Sequence, residues 1–354
     1  MTIRHVISAR QFSRKMIEEI FLTANKLRAE YLANNRTLTE KSKALRGIKV
    51  MIAFFEPSTR TSLTFRLAAM EHGATLMFSD FMGISSSMVK GESLDDTMRF
   101  VAETLGCKLI IMRHTDMGAA QAAADFLSSK FPDVSLINAG DGAGEHPTQA
   151  LLDLYALENE LGSSYETFDG IDKKVVLIGG DIKHSRTVRS LLETLKLYEG
   201  VTVILAAPDE FQIEDERFAL LKESNLTVVK TNDPTPYWRE VDGIYWTRLQ
   251  QERHEEIANH VTQAIGKLYN LLPEKIKEWH VRPPKTPGYP QNFVIDARTL
   301  EKMQPHSRIF HPKPRVNEIS REVDNDPRMA MFRQEQGGFF IRLALLQMLI
   351  ENTI

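Results

Sequence analysis

Residues 50–61 read VMIAFFEPSTRT. The first six form an unbroken apolar run of strand length, which is typical of a parallel strand buried on both faces. The next six bring an acid, three hydroxyl side chains and an arginine to the end of that strand, and the spacing of Leu63, Leu67 and Met70 predicts a helix directly after them. Ligands of open α/β sheets bind beyond the carboxyl ends of the strands, so this stretch predicts both a fold class and the position of a site.

The alternation of short apolar runs with helical patterns continues along the chain and predicts an α/β fold with parallel sheets flanked by helices. Further strands are predicted at 109–112, 134–137, 175–178, 201–206, 226–229, 243–246, 293–295 and 307–310. Further helices are predicted from Ser13 to Leu27, at 94–105, 147–161 and 187–198, and last at 337–352.

The chain has 354 residues, which is enough for two domains. A polar stretch at 162–166 interrupts the alternation, so we predict a first domain at 1–150, a second at 163–332 and a terminal segment at 333–354. One region does not fit this rhythm. Residues 251–291 end in a segment with four prolines between 283 and 290, which predicts a surface loop.

Composition excludes several classes of protein. The chain has 44 Lys and Arg against 47 Asp and Glu, and this balance argues against a general nucleic-acid binder. No apolar run approaches the ~18 residues that a membrane span needs. Cys107 is the only cysteine, so no internal disulfide or cysteine-based zinc site is expected. A buried thiol and a reducing, cytoplasmic location fit best, although the first 17 residues, basic and without an acid, faintly resemble a transit peptide.

The stretch after the first strand predicts an anion site. A helix N-terminus offers free backbone N–H groups and the positive end of the helix dipole, and the guanidinium of Arg60 can bind two phosphate oxygens at once. The alternative is that Ser58 and Thr59 only cap the helix. Capping does not explain the arginine between Thr59 and Thr61.

A second polar stretch follows the predicted strand at 134–137. Residues 138–149 read NAGDGAGEHPTQ, with glycines that permit a tight backbone before a helix opened by Pro147. His146 lies at the helix start and Gln149 about one turn later on the same side. The alternative interpretation is a glycine-rich connector in which His146 is an incidental cap.

Four arginines fall at the strand ends and helix starts where a ligand would lie between two sheets: Arg60, Arg113, Arg186 and Arg248. In a slightly acidic protein this favours a single anionic pocket, with ligands that carry phosphate and carboxylate groups. A nicotinamide-binding site is disfavoured, because the glycines at 179–180 lack the G-x-G-x-x-G spacing.

The two motifs STRT at 58–61 and HPTQ at 146–149 resemble the signatures of the carbamoyltransferase family, and the matches run in order from residues 4–8 to the final helix. The resemblance implies a carbamoyl-phosphate domain, an acceptor domain and a C-terminal helix that returns to the first domain. The ornithine branch has His-Cys-Leu-Pro and Ser-Met-Gly motifs that this chain lacks. The aspartate branch therefore fits better, and it implies transfer of a carbamoyl group to L-aspartate in pyrimidine biosynthesis.

The resemblance also implies a role for each matching residue. Ser58, Thr59, Arg60 and Thr61 would hold the phosphate, with Arg113 contacting phosphate and carbonyl. Arg60, Thr61 and His146 would polarise the carbonyl, Gln149 would bind the carbamoyl nitrogen, and Lys313 and Pro314 would contact carbamoyl phosphate through a backbone carbonyl next to a cis peptide bond. Arg186, Arg248 and Gln250 would bind the aspartate carboxylates, and Glu56 and Arg253 would hold the domains closed. Ser86 and Lys90, the latter contacting both substrates, would enter from the neighbouring subunit of a homotrimer. No metal or cofactor is implied.

Two departures from the family pattern keep alternatives open. Lys313 stands where the family has a leucine, and the 251–291 segment is longer than usual and close to the acceptor residues. A carbamoyltransferase for another amino acceptor is therefore the first alternative. A catalytically silent relative that binds carbamoyl phosphate is the second, and the intact 58–61 and 146–149 motifs disfavour it.

Overall fold

The computed structural model describes residues 3–80, 91–142, 144–162, 168–248 and 290–353. The first part of the chain forms a four-stranded parallel sheet of order β2-β1-β3-β4. Its strands are β1 (Lys49–Phe54), β2 (Thr75–Asp80), β3 (Leu109–His114) and β4 (Ser135–Asp141). Its helices are α1 (Arg14–Ala33), α2 (Thr59–Glu71), α3 (Leu94–Arg99) with a π-helical turn at Phe100–Thr104, α4 (Ala119–Lys130) and α5 (Pro147–Leu161).

The second part forms a five-stranded parallel sheet of order β7-β6-β5-β8-β9. Its strands are β5 (Val175–Gly179), β6 (Thr202–Ala206), β7 (Thr227–Thr231), β8 (Gly243–Trp246) and β9 (Arg308–Phe310). Its helices are α6 (Arg186–Leu195), α7 (Asp215–Lys222) and α8 (Ala297–Lys302), and the last helix is α9 (Met331–Glu351). Because α9 packs on α1, α2 and α5, the predicted fold of two parallel sheets with a returning C-terminal helix is confirmed.

Each central strand buries both faces, as its apolar run predicts. In β1, Ile52 and Phe54 join one apolar cluster, whereas Met51 and Ala53 join another on the opposite face. The first of these clusters continues through α5 and α9 to one face of the second sheet, and a third cluster covers that sheet's other face. A shared core therefore holds the two sheets together on one side of the cleft described below.

The structure differs from the sequence prediction at several elements. Strand β2 was not predicted; it is an edge strand whose Phe78 is 57% exposed, so its apolar pattern is weak. The strand predicted at 293–295 is wrong. A 3₁₀ turn ends at Phe293, and Ile295 makes an isolated bridge to Ile319. The side chains of Phe293 and Ile295 pack in the core with residues of β8, which explains the apolar pattern of this segment. The predicted domain end at residue 150 falls inside α5.

The basic N-terminal stretch is part of the folded domain. Val6 forms a bridge to Ile137, and the guanidinium of Arg14 binds Asp172 and the carbonyl of Phe168. Cys107 is buried beside Met77, and burial raises the pKa of its thiol, as expected for a structural cysteine. Among the helices that the structure describes, none combines the length and hydrophobicity of a membrane span.

Candidate active site

A cleft of about 920 Å³ separates the two sheets, and the segments that follow six strands line it. Residues 56–61 follow β1, residues 113–117 come from β3 and its end, and the starts of α5 and α6 face them. Arg248 follows β8, and residues 311–314 follow β9. This is the arrangement that parallel sheets predict, since the carboxyl ends of their strands lie at one edge.

The N-terminus of α2 opens into this cleft without a side-chain cap. Ser58 occupies the N-cap position, yet its hydroxyl makes no capping hydrogen bond. Thr61 is buried in the first turn, whereas the side chain of Arg60 is 48% exposed and lies 3.6 Å from the carboxylate of Glu335. The capping alternative for Ser58 is therefore wrong, and the first turn presents hydroxyls, backbone N–H groups and a guanidinium to one space.

Glu56 joins the two sides of the cleft. Its Oε2 lies 3.0 Å from Arg113 Nη2, on β3 of the first sheet, and 3.4 Å from Arg186 Nη1, at the start of α6 after β5 of the second sheet. Arg113 also donates to the carbonyl of Ala139, and Arg186 donates to the carbonyl of Gly142. The two guanidinium groups are held close together on carbonyls and one carboxylate, which preorganises them for an anion.

Gly140 makes this approach possible. It has a positive φ of 117°, and a Cβ at this position would lie 2.9 Å from Arg113 Nη1 and 3.4 Å from Arg186 Cζ. Any side chain would push the two arginines apart.

His146 precedes α5 and is 4% exposed. Burial, together with the positive charges of Arg186, Arg113 and Arg342, holds the pKa of its imidazole well below the usual value. Its side chain makes no capping hydrogen bond, so the incidental-cap alternative is wrong for this residue too. A neutral imidazole in the cleft can donate a hydrogen bond to a developing oxyanion without itself carrying a charge.

Gln149 lies one turn further along α5 and also lines the cleft. Its Nε2 donates to Oδ1 of the buried Asp153 at 2.8 Å. Asp153 also accepts from Gln334 Nε2 at 2.6 Å and from the hydroxyl of Tyr245 at 2.7 Å. Burial raises the pKa of the Asp153 carboxyl to about 7, even though these hydrogen bonds act in the opposite direction.

The loop after β9 closes one end of the cleft. His311 is buried between Glu318, 2.7 Å from its Nε2, and the backbone N–H of Lys313, which donates to its Nδ1 at 2.7 Å. Nε2 is thus the protonated nitrogen of a neutral ring, in line with the pKa that burial lowers. The Lys313–Pro314 bond is cis, as expected. Lys313 Nζ lies 3.4 Å from Met331 Sδ and 4.4 Å from the Phe332 ring centroid.

The cleft brings together all the predicted site residues that the structure describes. They are Glu56, Ser58, Thr59, Arg60, Thr61, Arg113, His146, Gln149, Arg186, Arg248, Lys313 and Pro314. Ser86, Lys90, Gln250 and Arg253 lie outside the described residues, as does most of the 251–291 segment.

The cleft also contains residues that the sequence prediction missed. Gln334, Glu335 and Arg342 reach it from α9. Arg342 is 5% exposed, its Nε has no hydrogen-bond partner among the described residues, and burial lowers its pKa to about 10. An arginine inside the apolar stretch 339–350 was the available signal, since an arginine is almost never fully buried unless its charge is paired.

Two family models match most of the chain. Residues 4–159 match the carbamoyl-P binding domain of aspartate/ornithine carbamoyltransferases, and residues 171–349 match the Asp/Orn binding domain. The chain is 35% identical over 345 residues to a chloroplastic aspartate carbamoyltransferase of Oryza sativa subsp. japonica, covering 98% of this chain and 84% of that protein.

Solved structures agree with these matches. The catalytic subunit of M. jannaschii aspartate transcarbamoylase aligns with a TM-score of 0.78 at 32% identity, covering 99% of this chain and 98% of that one. The Trypanosoma cruzi aspartate transcarbamoylase, solved with carbamoyl aspartate and phosphate, aligns with a TM-score of 0.77 at 30% identity, covering 97% and 94%.

Proposed function

This chain belongs to the aspartate/ornithine carbamoyltransferase family, and from its cleft we infer that it transfers the carbamoyl group of carbamoyl phosphate to the amino group of L-aspartate. The products are N-carbamoyl-L-aspartate and phosphate. The observation that carries this function is the convergence of an uncapped helix start at Ser58 with arginines from both sheets in one cleft. One face suits a phosphate and the opposite face suits carboxylates.

On the phosphate side, the first turn of α2 would bind the donor. The hydroxyls of Ser58, Thr59 and Thr61, the N–H groups of that turn and the guanidinium of Arg60 can all donate to phosphate oxygens. Arg113, on β3, adds a second guanidinium group that can bind phosphate oxygens. No covalent nucleophile from the protein is needed, because positioning and charge stabilisation account for the chemistry of such a transfer.

At the carbonyl, negative charge develops on the oxygen when the neutral amine of aspartate attacks the carbon. Arg60, Thr61 and the neutral His146 would donate to this oxygen, and Gln149 would hold the carbamoyl nitrogen. The new C–N bond forms as the C–O bond to phosphate breaks, and the leaving phosphate is the base that takes the amine proton.

On the acceptor side, Arg186 and Arg248 would bind the two carboxylates of aspartate, with Gln250 completing the set. In the cleft as described, Glu56 contacts both Arg113 and Arg186. An incoming phosphate or carboxylate competes with Glu56 for these groups. Glu56, with Arg253, would therefore exchange partners when the domains close on the substrates.

A homotrimer in which Ser86 and Lys90 enter the neighbouring site is part of this proposal. Exposed apolar side chains support self-association: Leu63, Leu67 and Met70 on α2 are 56%, 39% and 60% exposed, and Phe78 on β2 is 57% exposed. Leu63, Leu67 and Met70 recur at the spacing of one helix face, so α2 exposes an apolar face rather than isolated apolar residues.

Mixing two inactive variants tests the shared site. Chains with Lys90→Ala and chains with Arg60→Ala are unfolded and reassembled together at a 1:1 ratio. In a head-to-tail ring, about one site in four regains both residues, and activity returns to that order. Mixed oligomers that stay inactive would show that Lys90 does not act across subunits.

The acceptor is tested by phosphate release from carbamoyl phosphate with and without L-aspartate. We expect release to depend on aspartate and carbamoyl aspartate to form in equal amount. A screen of other amino acceptors tests the alternative raised by Lys313. Turnover that is faster with another amine than with aspartate would assign the acceptor differently.

We also place the protein in the cytoplasm, as a proposal supported by the single buried thiol. The Oryza sativa relative is chloroplastic by name, so cell fractionation with a plastid marker is the deciding measurement where plastids are present.

A further inference from the structure

Asp153 lies beneath the cleft and connects three parts of the fold. It belongs to α5, is 1% exposed, and accepts hydrogen bonds from Gln149 on the same helix, Tyr245 on β8 and Gln334 on α9. Both glutamine side chains donate to the same oxygen, Oδ1, at 2.8 and 2.6 Å, and Tyr245 donates to Oδ2. Oδ1 of the carboxyl group therefore holds the two glutamine side chains, and Oδ2 holds Tyr245.

The orientation of these side chains follows from a backbone group. The N–H of His311 donates to Gln334 Oε1 at 2.8 Å, and a backbone N–H can only donate. Gln334 must therefore turn its Nε2 to Asp153, which makes Oδ1 an acceptor. Gln149 can satisfy that same oxygen only with its own Nε2. Its Oε1 is then left facing the cleft.

We propose that Asp153 is a positioning residue that fixes the amide of Gln149 with its oxygen toward the substrate, so that the cleft selects a donor bearing an N–H group. This inference rests on the proposed function, in which Gln149 meets the carbamoyl nitrogen. A carbamoyl group offers N–H donors to Oε1, whereas an acetyl group of the same shape offers a methyl. A reversed amide would place two donors against each other and lose this selection.

The arrangement does not depend on the charge of Asp153. When the carboxyl is protonated, its proton lies on Oδ2 and is donated to the Tyr245 oxygen. In Asp153→Asn, the Nδ2 group takes the place of Oδ2 and donates to Tyr245 in the same way. Oδ1 still receives both glutamines. Asp153→Asn should therefore keep the orientation of Gln149, and Asp153→Ala should release it.

The test compares the binding of carbamoyl phosphate with the binding of acetyl phosphate. Acetyl phosphate is measured as an inhibitor that competes with carbamoyl phosphate. In Asp153→Ala we expect the dissociation constant of carbamoyl phosphate to rise tenfold or more, while that of acetyl phosphate stays within about twofold. Asp153→Asn should leave both within about threefold. Gln149→Ala should show the same selective loss, and the double variant Gln149→Ala/Asp153→Ala no further loss, since both remove one interaction.

Glu158→Gln is the matched control, because Glu158 is another buried carboxylate on α5 that accepts from the N–H of Gly170 and lies outside the cleft. It should change the affinity of neither ligand. Equal weakening of both ligands in Asp153→Ala, or losses that multiply in the double variant, would overturn the inference. If Asp153→Ala does not fold, Asp153→Ser is measured in its place. A wild-type protein that transfers no carbamoyl group to aspartate would instead refute the proposed function.

Discussion

The starts of α1 and α2 carry similar residues and use them differently. At α1, Ser13 accepts a hydrogen bond from the N–H of Met16, and Arg14 binds Glu18 and Asp172 and stacks 3.8 Å from the Tyr198 ring centroid. At α2, Ser58 makes no capping bond, and the carboxylate that Arg60 approaches among the described residues, that of Glu335, lies 3.6 Å away. The first helix start satisfies its own polar groups, whereas the second presents them to the cleft.

This difference separates residues that stabilise the fold from residues that bind ligand. Helix starts have up to four backbone N–H groups without helical partners, and a serine or an arginine is a normal companion for them. The residue types alone therefore do not identify a site. Polar groups that the fold leaves unsatisfied in a concave region do identify one.

The largest effect is expected when Arg60 is replaced, and Arg14 at the start of α1 serves as the comparison. Arg60→Ala should reduce kcat/KM by 10²–10³-fold or more, because removing one partner of a charged hydrogen-bonded pair in a closed site costs about 2–5 kcal/mol. Its unfolding free energy should barely change. Arg14→Ala should lower that free energy by about 2 kcal/mol, because its charged hydrogen bonds are no longer made, and should leave kcat/KM near wild type. Steady-state kinetics and denaturant unfolding of both variants check this; a stability loss in Arg60→Ala equal to that in Arg14→Ala would contradict the distinction.

The second prediction concerns Asp153, whose carboxyl is satisfied within the fold. Its pKa is raised from 3.8 to about 7 by burial, so between these values the native state holds a proton that the unfolded state has lost. The unfolding free energy should therefore fall as pH rises through this window. Asp153→Asn removes the titration, and its stability relative to wild type should improve by on the order of 2–3 kcal/mol from pH 5 to pH 8.

Denaturant unfolding at several pH values measures this difference. Burial also raises the pKa of Glu158 to about 7. The stability of Glu158→Gln relative to wild type should therefore also improve as pH rises. A difference between wild type and Asp153→Asn that does not vary with pH would show that the native carboxyl stays ionised.

A smaller effect is expected for the two serines. Ser13→Ala should cost about 1 kcal/mol of unfolding free energy, the usual value of a missing cap, without a change in kinetics. Ser58→Ala should leave the unfolding free energy unchanged within about 0.5 kcal/mol and weaken carbamoyl-phosphate binding about tenfold, the equivalent of one hydrogen bond to a charged group. If Ser58→Ala instead behaves like Ser13→Ala, the hydroxyl of Ser58 is structural.

The parts of the fold that follow from local pattern were predictable. For the buried strands β1 and β3 and the helix α5, the bounds predicted from the sequence lie within a few residues of the bounds in the structure. The segments after the strands were also identifiable, because parallel sheets place them at one edge. The edge strand β2 was missed since its face is half exposed, and 293–295 was misassigned since a core-filling turn and a short strand have the same apolar content.

The sequence prediction missed some site residues for a different reason. Gln334 and Arg342 enter the cleft only because α9 returns across the molecule, and the hydrogen bond from Gln334 to Asp153 joins residues 181 positions apart. No local pattern encodes such a contact. Asp153 itself looks like an ordinary polar position in an amphipathic helix until Tyr245 and Gln334 are placed against it.

Lys313 should give the smallest effect, because its side chain is engaged within the protein. Its Nζ lies against Met331 and the Phe332 ring, and the lysine is only partly exposed. The role proposed for it uses the backbone carbonyl, which Lys313→Leu retains. We therefore expect kcat/KM for aspartate and for carbamoyl phosphate to stay within about threefold of wild type, below about 1 kcal/mol. Lys313→Met, which keeps a long unbranched side chain without the charge, separates the effect of packing from the effect of charge. If both variants abolish turnover, the ammonium group contacts a substrate, and Lys313 belongs with Arg60 among the groups that the fold leaves for the ligand.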